Sequence, residues 1–573
     1  MRRWMLIIGV TIAAASIAAA LFQRYAIAIP GLITDWRSPI GENRPIDWEQ
    51  GPAAPRAPSA QRPPNIVLIL ADDMGFNDIS FHTGSAAGSA GGSASGSAGG
   101  SAGRGAGGGT VRTPSIDSIA AEGVHFANGY AAHGTCAPSR AALMSGRYGT
   151  RFGFEFTPTP DGMAPIVARL YAADERMIHP VHRPAIDDGQ DPLTFLEKGM
   201  PGSEITLAEL LQAQGYHTIH IGKWHLGHEN GSAPIDQGFD ESLNMASGLF
   251  LPADHPDVVN ARQEFDPIDR FLWANLRHAV NWNEGPRFRP DGYLTDYFTD
   301  AAVDAIAANR NRPFFLYLAH WAPHTPLQAL RADYEALAHI DDHTERVYAA
   351  MLRALDRGVG RVLDALAEHG LEDDTLVIFT SDNGGAGYIG LPDVNSPYRG
   401  WKLTFFEGGI HVPYFLRWPG RIAPGTAFEQ PVHHFDIYAT AAAAAGASMP
   451  QDRTMDGVDL LPFVTGERVG HPHDALFWRS GHYQVVLADG WKLQRAERPE
   501  RVWLFHLAED PTEQRDLAAQ RPDKVRELAA LLDAHDAEQA EPLWPALAEL
   551  PVLIDKHLAE PQDPADEFVY VPN

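Results

Sequence analysis

The run Asn65-Ile66-Val67-Leu68-Ile69-Leu70-Ala71 stays apolar after its first residue and stops on Asp72-Asp73. A strand with one wet face alternates apolar and polar side chains. An unbroken apolar run instead fits a strand covered on both faces, as in a parallel sheet between helices. Pro313-Phe314-Phe315-Leu316-Tyr317-Leu318 and Thr375-Leu376-Val377-Ile378-Phe379-Thr380 read the same way, and His217-Thr218-Ile219-His220-Ile221 is a shorter case.

Helical patterns lie between these runs. Thr113-Pro114 opens one helix and Gly123 closes it. Thr206 and Glu209 form a capping box for a second, which Gly215 ends. Val347, Met351, Leu355, Val359, Val362 and Leu366 mark the apolar face of a long third helix before Gly370. Strands alternating with helices predict an α/β fold over 63–465, a mainly parallel sheet sandwiched by helices. Beyond 466 the texture changes. Tyr483–Leu487, Trp491–Leu493 and Val502–Phe505 read as short strands at hairpin spacing, followed by a helix from about 522 to 535. Residues 466–573 are therefore expected to form a smaller C-terminal α+β subdomain and tail.

The other segments are not core. Residues 83–109 are almost entirely Gly, Ser and Ala and read as a flexible surface insertion. Residues 23–62, rich in Pro, Ala and Arg, read as a linker. Met1-Arg2-Arg3 precedes an apolar run from Trp4 to Phe22, so residues 1–22 read as an export signal or a retained membrane anchor. Ala18-Ala19-Ala20 offers small residues for cleavage. The expected location is exported: periplasmic or secreted, touching a membrane only through this segment.

The 573 residues carry a formal net charge of -28. So acidic a chain repels nucleic acid and anionic membranes. Its single cysteine, Cys136, excludes an internal disulfide. A lone cysteine in an exported chain is either incidental or chemically used.

In open α/β sheets ligands bind beyond the carboxyl ends of the strands. Asp72 and Asp73 follow one strand, Lys223 and His225 another, His324 a third, Asp382 and Asn383 a fourth. Carboxylates with an amide form a hard-oxygen set suited to Ca²⁺ or Mg²⁺. Asp-Asp and Asp-Asn-Gly alone are common turn formers; their recurrence at strand ends of one sheet points to a site. Cys136 opens Cys136-Ala137-Pro138-Ser139-Arg140-Ala141-Ala142-Leu143-Met144-Ser145-Gly146-Arg147, where Pro138 and Gly146 bracket a short helix. Cys136 then stands at a helix start, where backbone N–H groups favour an anion, with Arg140 one turn in.

Cys136-Ala137-Pro138-Ser139-Arg140 with Leu143 and Gly146-Arg147 resembles the signature of the type I sulfatases. In family order stand Asn65–Asp73, Gly222-Lys223-Trp224-His225-Leu226-Gly227, Pro323-His324-Thr325-Pro326, Ser381-Asp382-Asn383-Gly384, and Arg399-Gly400-Trp401-Lys402 before Glu407-Gly408-Gly409. The likeness runs from about 63 to about 520. It implies an alkaline phosphatase-like fold and an arylsulfatase-like hydrolase whose cysteine is oxidised to formylglycine by a formylglycine-generating enzyme. It further implies that Asp72, Asp73, Asp382, Asn383 and residue 136 hold Ca²⁺ (or Mg²⁺), that Arg140 and His225 contact the modified side chain, and that Lys223, His324 and Lys402 hold the sulfate of a small-molecule or sugar ester. Two features depart from the pattern: the 83–109 insertion, and His411, which stands where many relatives have arginine.

A hydrated aldehyde suits this chemistry. One hydroxyl attacks sulfur, and the other, deprotonated by a histidine such as His225, expels sulfate by elimination. A phosphonate or phosphate monoester hydrolase of the same fold is the alternative enzyme. A catalytically silent binding protein is the alternative if Cys136 stays a thiol.

Overall fold

The computed structural model describes residues 26–55, 62–84, 111–184 and 193–573. Residues 1–22, and all but the first two residues of the 83–109 tract, lie outside these. Among the described residues no helix is long and apolar enough to cross a membrane.

The centre is a nine-stranded mixed sheet. Asn65–Ala71 lies in its middle, parallel to Thr375–Ser381 on one side and to Phe314–Ala319 on the other. His217–Gly222 continues the parallel run next to Phe314–Ala319, and Glu241–Gly248 follows it. Antiparallel strands flank this block: Tyr414–Arg417 beside Thr375–Ser381, and His278–Trp282 beside Glu241–Gly248. Every residue of Asn65–Ala71 is buried. Alternate side chains feed two cores, Val67, Ile69 and Ala71 on one face and Ile66, Leu68 and Leu70 on the other. This two-sided burial is the physical reason for the unbroken apolar run.

One core is roofed by Pro114–Ala121, Leu294–Asn309 and His343–Glu368, the last capped by Asp342, whose carboxylate accepts from Glu345 N at 2.9 Å. The other is roofed by Cys136–Ser145, Leu207–Ala213 and Phe435–Ala444. The capping box at Thr206 and Glu209 is formed, each side chain accepting from the other's backbone N–H. The fold is thus the α/β sandwich expected.

At the carboxyl side, Ala475–Ser480, Tyr483–Ala488, Trp491–Glu497 and Glu500–His506 form an antiparallel meander, with Pro522–Asp536 packed on it. A hairpin pair, Glu549–Leu553 with Phe568–Pro572, completes this smaller sheet subdomain. A buried ion cluster joins it to the main body. Lys492 Nζ lies 2.7 Å from Glu407 and 3.0 Å from Glu513. Tyr130 Oη donates to Glu407 at 3.0 Å, and His411 Nδ1 sits 2.9 Å from the same carboxylate. His411, the departure noted in the sequence, is thus a hydrogen-bonding member of this joint, its Nε2 lying 2.9 Å from the Ala127 carbonyl.

The linker reading of 23–62 does not hold for residues 26–55. Ile29–Arg37 is helical, and Gly41 pairs with Phe288 at the sheet edge. Trp48 is only 6% exposed and packs edge-on against Trp282 with ring centroids 4.7 Å apart. Glu49 N donates to Glu241 at 2.8 Å, and Arg312 reaches the Glu49 carboxylate at 2.6 Å. Proline discourages regular ladders in such a stretch, yet single aromatics and backbone donors can still dock against a sheet edge.

Trp48→Ala is expected to lower the unfolding free energy by about 3 kcal/mol. Denaturant titration reads this as a lower midpoint at unchanged slope; an undocked linker would leave the midpoint where it was.

Candidate active site

The parallel register builds the floor. Ala71 stands opposite Ser381, so Asp72-Asp73 and Asp382-Asn383 leave the sheet side by side. Asp73 adopts the left-handed region (φ 62°), and its N–H donates to Asp382 Oδ1 at 3.2 Å. Asn383 Nδ2 donates to Asp73 Oδ1 at 2.8 Å, while its Oδ1 is buried without a hydrogen-bond partner.

The helix Cys136–Ser145 aims its first residue at this floor. Cys136 Sγ lies 3.4 Å from Asp72 Oδ1 and 3.7 Å from Asp73 Oδ1. Before it, the hydroxyl and N–H of Thr135 meet His133 Nδ1 at 2.9 and 3.1 Å. The helix closes on Gly146 at φ 69°, where a Cβ would fall 2.6 Å from the Tyr438 ring. Only glycine meets both demands.

Cations from separate elements answer the carboxylates. Arg140, one turn into the helix, bonds Asp382 Oδ2 through Nε and Nη2 at 2.9 Å each, and its Nη2 is 3.2 Å from Asp72. Lys223, just past His217–Gly222, reaches Asp72 at 2.7 Å. Lys402, on the loop before Glu407, reaches Asp73 at 2.8 Å and lies 3.3 Å from His324 Nε2. His324 Nδ1 lies 2.6 Å from the Thr325 carbonyl. Asp72, Asp382 and Arg140 have no exposure, whereas Lys402 keeps 8% and His324 9%. Carboxylates therefore form the floor, and the lysine with the histidine forms the mouth.

Burial and the Asp382 charge lift Asp72 to about 7 against the pull of Lys223 and Arg140. Burial works to raise Asp382 too, but Arg140 and Lys223 outweigh it and hold it below the usual range. Burial and Asp382 push the Cys136 thiol well up. Burial also keeps His225 and His324 neutral, reinforced by the charges of Lys223 and Lys402. His225 is at φ 64° with a buried, unpartnered Nδ1.

Asp72, Asp73, Asp382, Asn383, Cys136, Arg140, Lys223, His324 and Lys402 thus fall in one cluster, and His225 lies close enough to feel the charges of Lys223 and Arg140. Donor atoms of Asp72, Asp73, Cys136 and His324 lie within 4.8 Å of one another. With Asp382 and the orphaned Asn383 oxygen alongside, the oxygen donors of this set suit a hard divalent cation. Sequence reasoning missed three neighbours. Tyr388 Oη donates to Asp73 at 3.0 Å. Trp321 stacks on His324 at 3.9 Å and lies under Lys223 at 4.7 Å. Tyr317 Oη is 3.5 Å from Arg140. Trp321 sits in the same strand-end segment as His324 and was findable there; nothing around Tyr388 signals it. Beside Lys402 and Tyr388 opens a cleft walled by Tyr171, Ile268, Leu403 and Leu550.

Comparison with known proteins agrees with this geometry. The sulfatase family model matches residues 64–447, and that of the N-sulphoglucosamine sulphohydrolase C-terminal region matches 400–537. The N-acetylgalactosamine-6-sulfatase of Mus musculus is 33% identical over 442 residues, covering 76% of this chain and 72% of its own. The steryl-sulfatase of Mus musculus is 30% identical over 587 residues, covering 86% and 84%. The crystal structure of Ps i-CgsB in complex with k-i-k-neocarrahexaose superposes with a TM-score of 0.65 at 28% identity, over 84% of this chain and 95% of that one.

Arg140→Ala leaves Asp72 and Asp382 buried without their guanidinium. A loss of about 3–5 kcal/mol in unfolding free energy is expected, measured by chemical denaturation. An unchanged midpoint would mean that the lysines alone balance the floor.

Proposed function

Since the chain belongs to the sulfatase family and is a sulfuric ester hydrolase, we propose that it cleaves small-molecule or sugar sulfate esters through a formylglycine made from Cys136, with Ca²⁺ (or Mg²⁺) bound at the carboxylate floor. The observation that carries this is the seat of Cys136: at a helix N-terminus, between buried carboxylates and a mouth of Lys402 and His324. Asp72, Asp73, Asp382, Asn383 and residue 136 would hold the cation. Hydrated formylglycine would supply two hydroxyls on one carbon, one to attack and one to drive elimination, and a bound cation would lower the pKa of the first.

The chain's own residues do the rest. Lys223, His324 and Lys402 hold the sulfuryl oxygens and offset their charge. Lys402, kept protonated because Asp73 outweighs the cost of burial, also neutralises the leaving oxygen. His225, neutral through burial, takes the second hydroxyl's proton. Arg140 fixes Asp72 and Asp382, and so the attitude of the helix that begins at residue 136. Conversion of Cys136 requires a formylglycine-generating enzyme in the host. The basic start and apolar run of residues 1–22 support export to the periplasm or beyond.

The deciding measurement is the mass of the tryptic peptide containing residue 136 from active enzyme, together with rates on matched aryl sulfate and aryl phosphate. An unmodified thiol in active enzyme, or faster phosphate turnover, overturns the reading. Cys136→Ala is expected to cut sulfate turnover by more than about a thousandfold with its melting temperature held. Cys136→Ser should be similarly impaired and accumulate a sulfated enzyme, because a lone hydroxyl cannot eliminate sulfate. Asp382→Ala should lose bound metal and activity together, followed by elemental analysis beside the rate assay; normal metal content with normal turnover would remove Asp382 from the ligand set.

A further inference from the structure

The helix Ile29–Arg37 is amphipathic in the inverse sense for a helix resting on a protein. Its attachments are polar. Gly31 N donates to Asn275 Oδ1 at 2.7 Å, and Asn275 Nδ2 donates to the Ile27 carbonyl at 2.8 Å. Arg277 holds Asp35 at 2.8 Å, Arg287 lies 3.4 Å from the same carboxylate, and Arg287 also donates to the Ser38 carbonyl. Gly31 alone of the helix is buried. Three of the apolar side chains face outward, while Ile29 and Pro30 are half-buried: Leu32 is 58% exposed, Ile33 44% and Trp36 82%. Leu32 and Trp36 are one turn apart with Ile33 beside them, so they share a face. A surface helix normally turns that face inward. Single exposed apolar residues are ordinary, but a cluster including a tryptophan marks an interaction site.

The chain just upstream indicates the partner. Arg2 and Arg3 precede the apolar run Trp4 to Phe22. Residues 26–28 already form a turn against the Pro267–Asn275 helix, with Ile27 in its apolar cluster. Only residues 23–25 lie between that turn and the run, a reach of about 10–14 Å even when extended. If residues 4–22 sit in a bilayer, Ile29–Arg37 cannot stand far from its surface. Tryptophan favours that boundary, and Arg24 and Arg37 flank the helix as cationic residues flank interfacial ones. The net charge of -28 repels anionic headgroups elsewhere on the molecule, so the tether and this helix make the contact.

We propose that residues 4–22 are retained as an anchor and that Ile29–Arg37 lies along the surface of the same bilayer, with Leu32, Ile33 and Trp36 at the boundary between headgroups and acyl chains. The helix is pinned to the catalytic body by Asn275, Arg277 and Arg287, so it would fix the body's orientation on the membrane.

Cys136 is buried and the chain has no other cysteine, so Trp36→Cys introduces a single accessible thiol. Val469→Cys, at a position 91% exposed, is the aqueous control. The full-length variants carry an environment-sensitive thiol fluorophore and are reconstituted in phosphatidylethanolamine–phosphatidylglycerol vesicles. Unchanged aryl sulfate turnover confirms the fold, and Leu32→Cys replaces Trp36→Cys if that variant misfolds. Quenching by nitroxide lipids is expected to be several-fold stronger at 36 than at 469, and quenching by iodide several-fold weaker. Equal iodide access at both positions overturns the proposal. So does shielding from both quenchers with doubled mass, which would mean a second copy covers the helix. An exported soluble chain whose N-terminus begins after Ala20 overturns it as well.

Discussion

Three carboxylates at the end of one sheet cannot be buried together without compensating charge. An unpaired ion in such a place costs several kcal/mol even after relaxation. Asp72, Asp73 and Asp382 are all buried, and their partners arrive from three directions: Arg140 on the Cys136–Ser145 helix, Lys223 from a strand end, Lys402 from a distant loop. Folding must bring these elements together to balance the floor, and in doing so it assembles the site. The guanidinium of Arg140, bound to two of the carboxylates, also sets where the helix points its first residue. The same ion pairs thus stabilise the fold and orient Cys136.

The smaller sheet takes part through a second buried cluster. Lys492 and His411 hold Glu407 down to about 2 against burial, while burial lifts Glu513 to about 7. Glu407 begins the short helix just after the Lys402 loop. That loop is gripped on both sides: Phe405 N donates to Tyr483 Oη at 3.1 Å, and Leu403 N donates to the Gly134 carbonyl at 2.6 Å. The meander therefore acts as a strut that presses Lys402 against Asp73. Its residues touch none of the reacting groups, yet the lysine's position depends on them.

Much of this was legible in the sequence where one local cause dominates. Burial on both faces wrote the apolar strands. Thr206 with Glu209 wrote a helix start, and Gly146 wrote a helix end. The clustered strand-end residues were legible as punctuation after the strands and as motifs in order. The unread parts depend on distant partners. Residues 38–55 carry no periodicity, and their docking rests on single groups such as Trp48 meeting Trp282. Tyr388 joins the site only because a loop folds back on Asp73. The strand Ala475–Ser480 and the terminal hairpin pair are short, with polar or prolyl interruptions that hide an alternating pattern.

The seat of Cys136 also fixes an order of events. Its thiol is 3% exposed, with helix backbone behind it, two carboxylates in front and the Lys402 loop tied to Gly134 beside it. A macromolecular catalyst cannot bring its own reactive centre to that sulfur once the sheet, helix and loop have closed. Any enzyme that alters this residue has to find the segment around it while the nascent chain is still open. If activity rests on that alteration, as proposed above, it is decided for each molecule by a race between that encounter and folding, and a chain that closes first stays a thiol for as long as it remains folded.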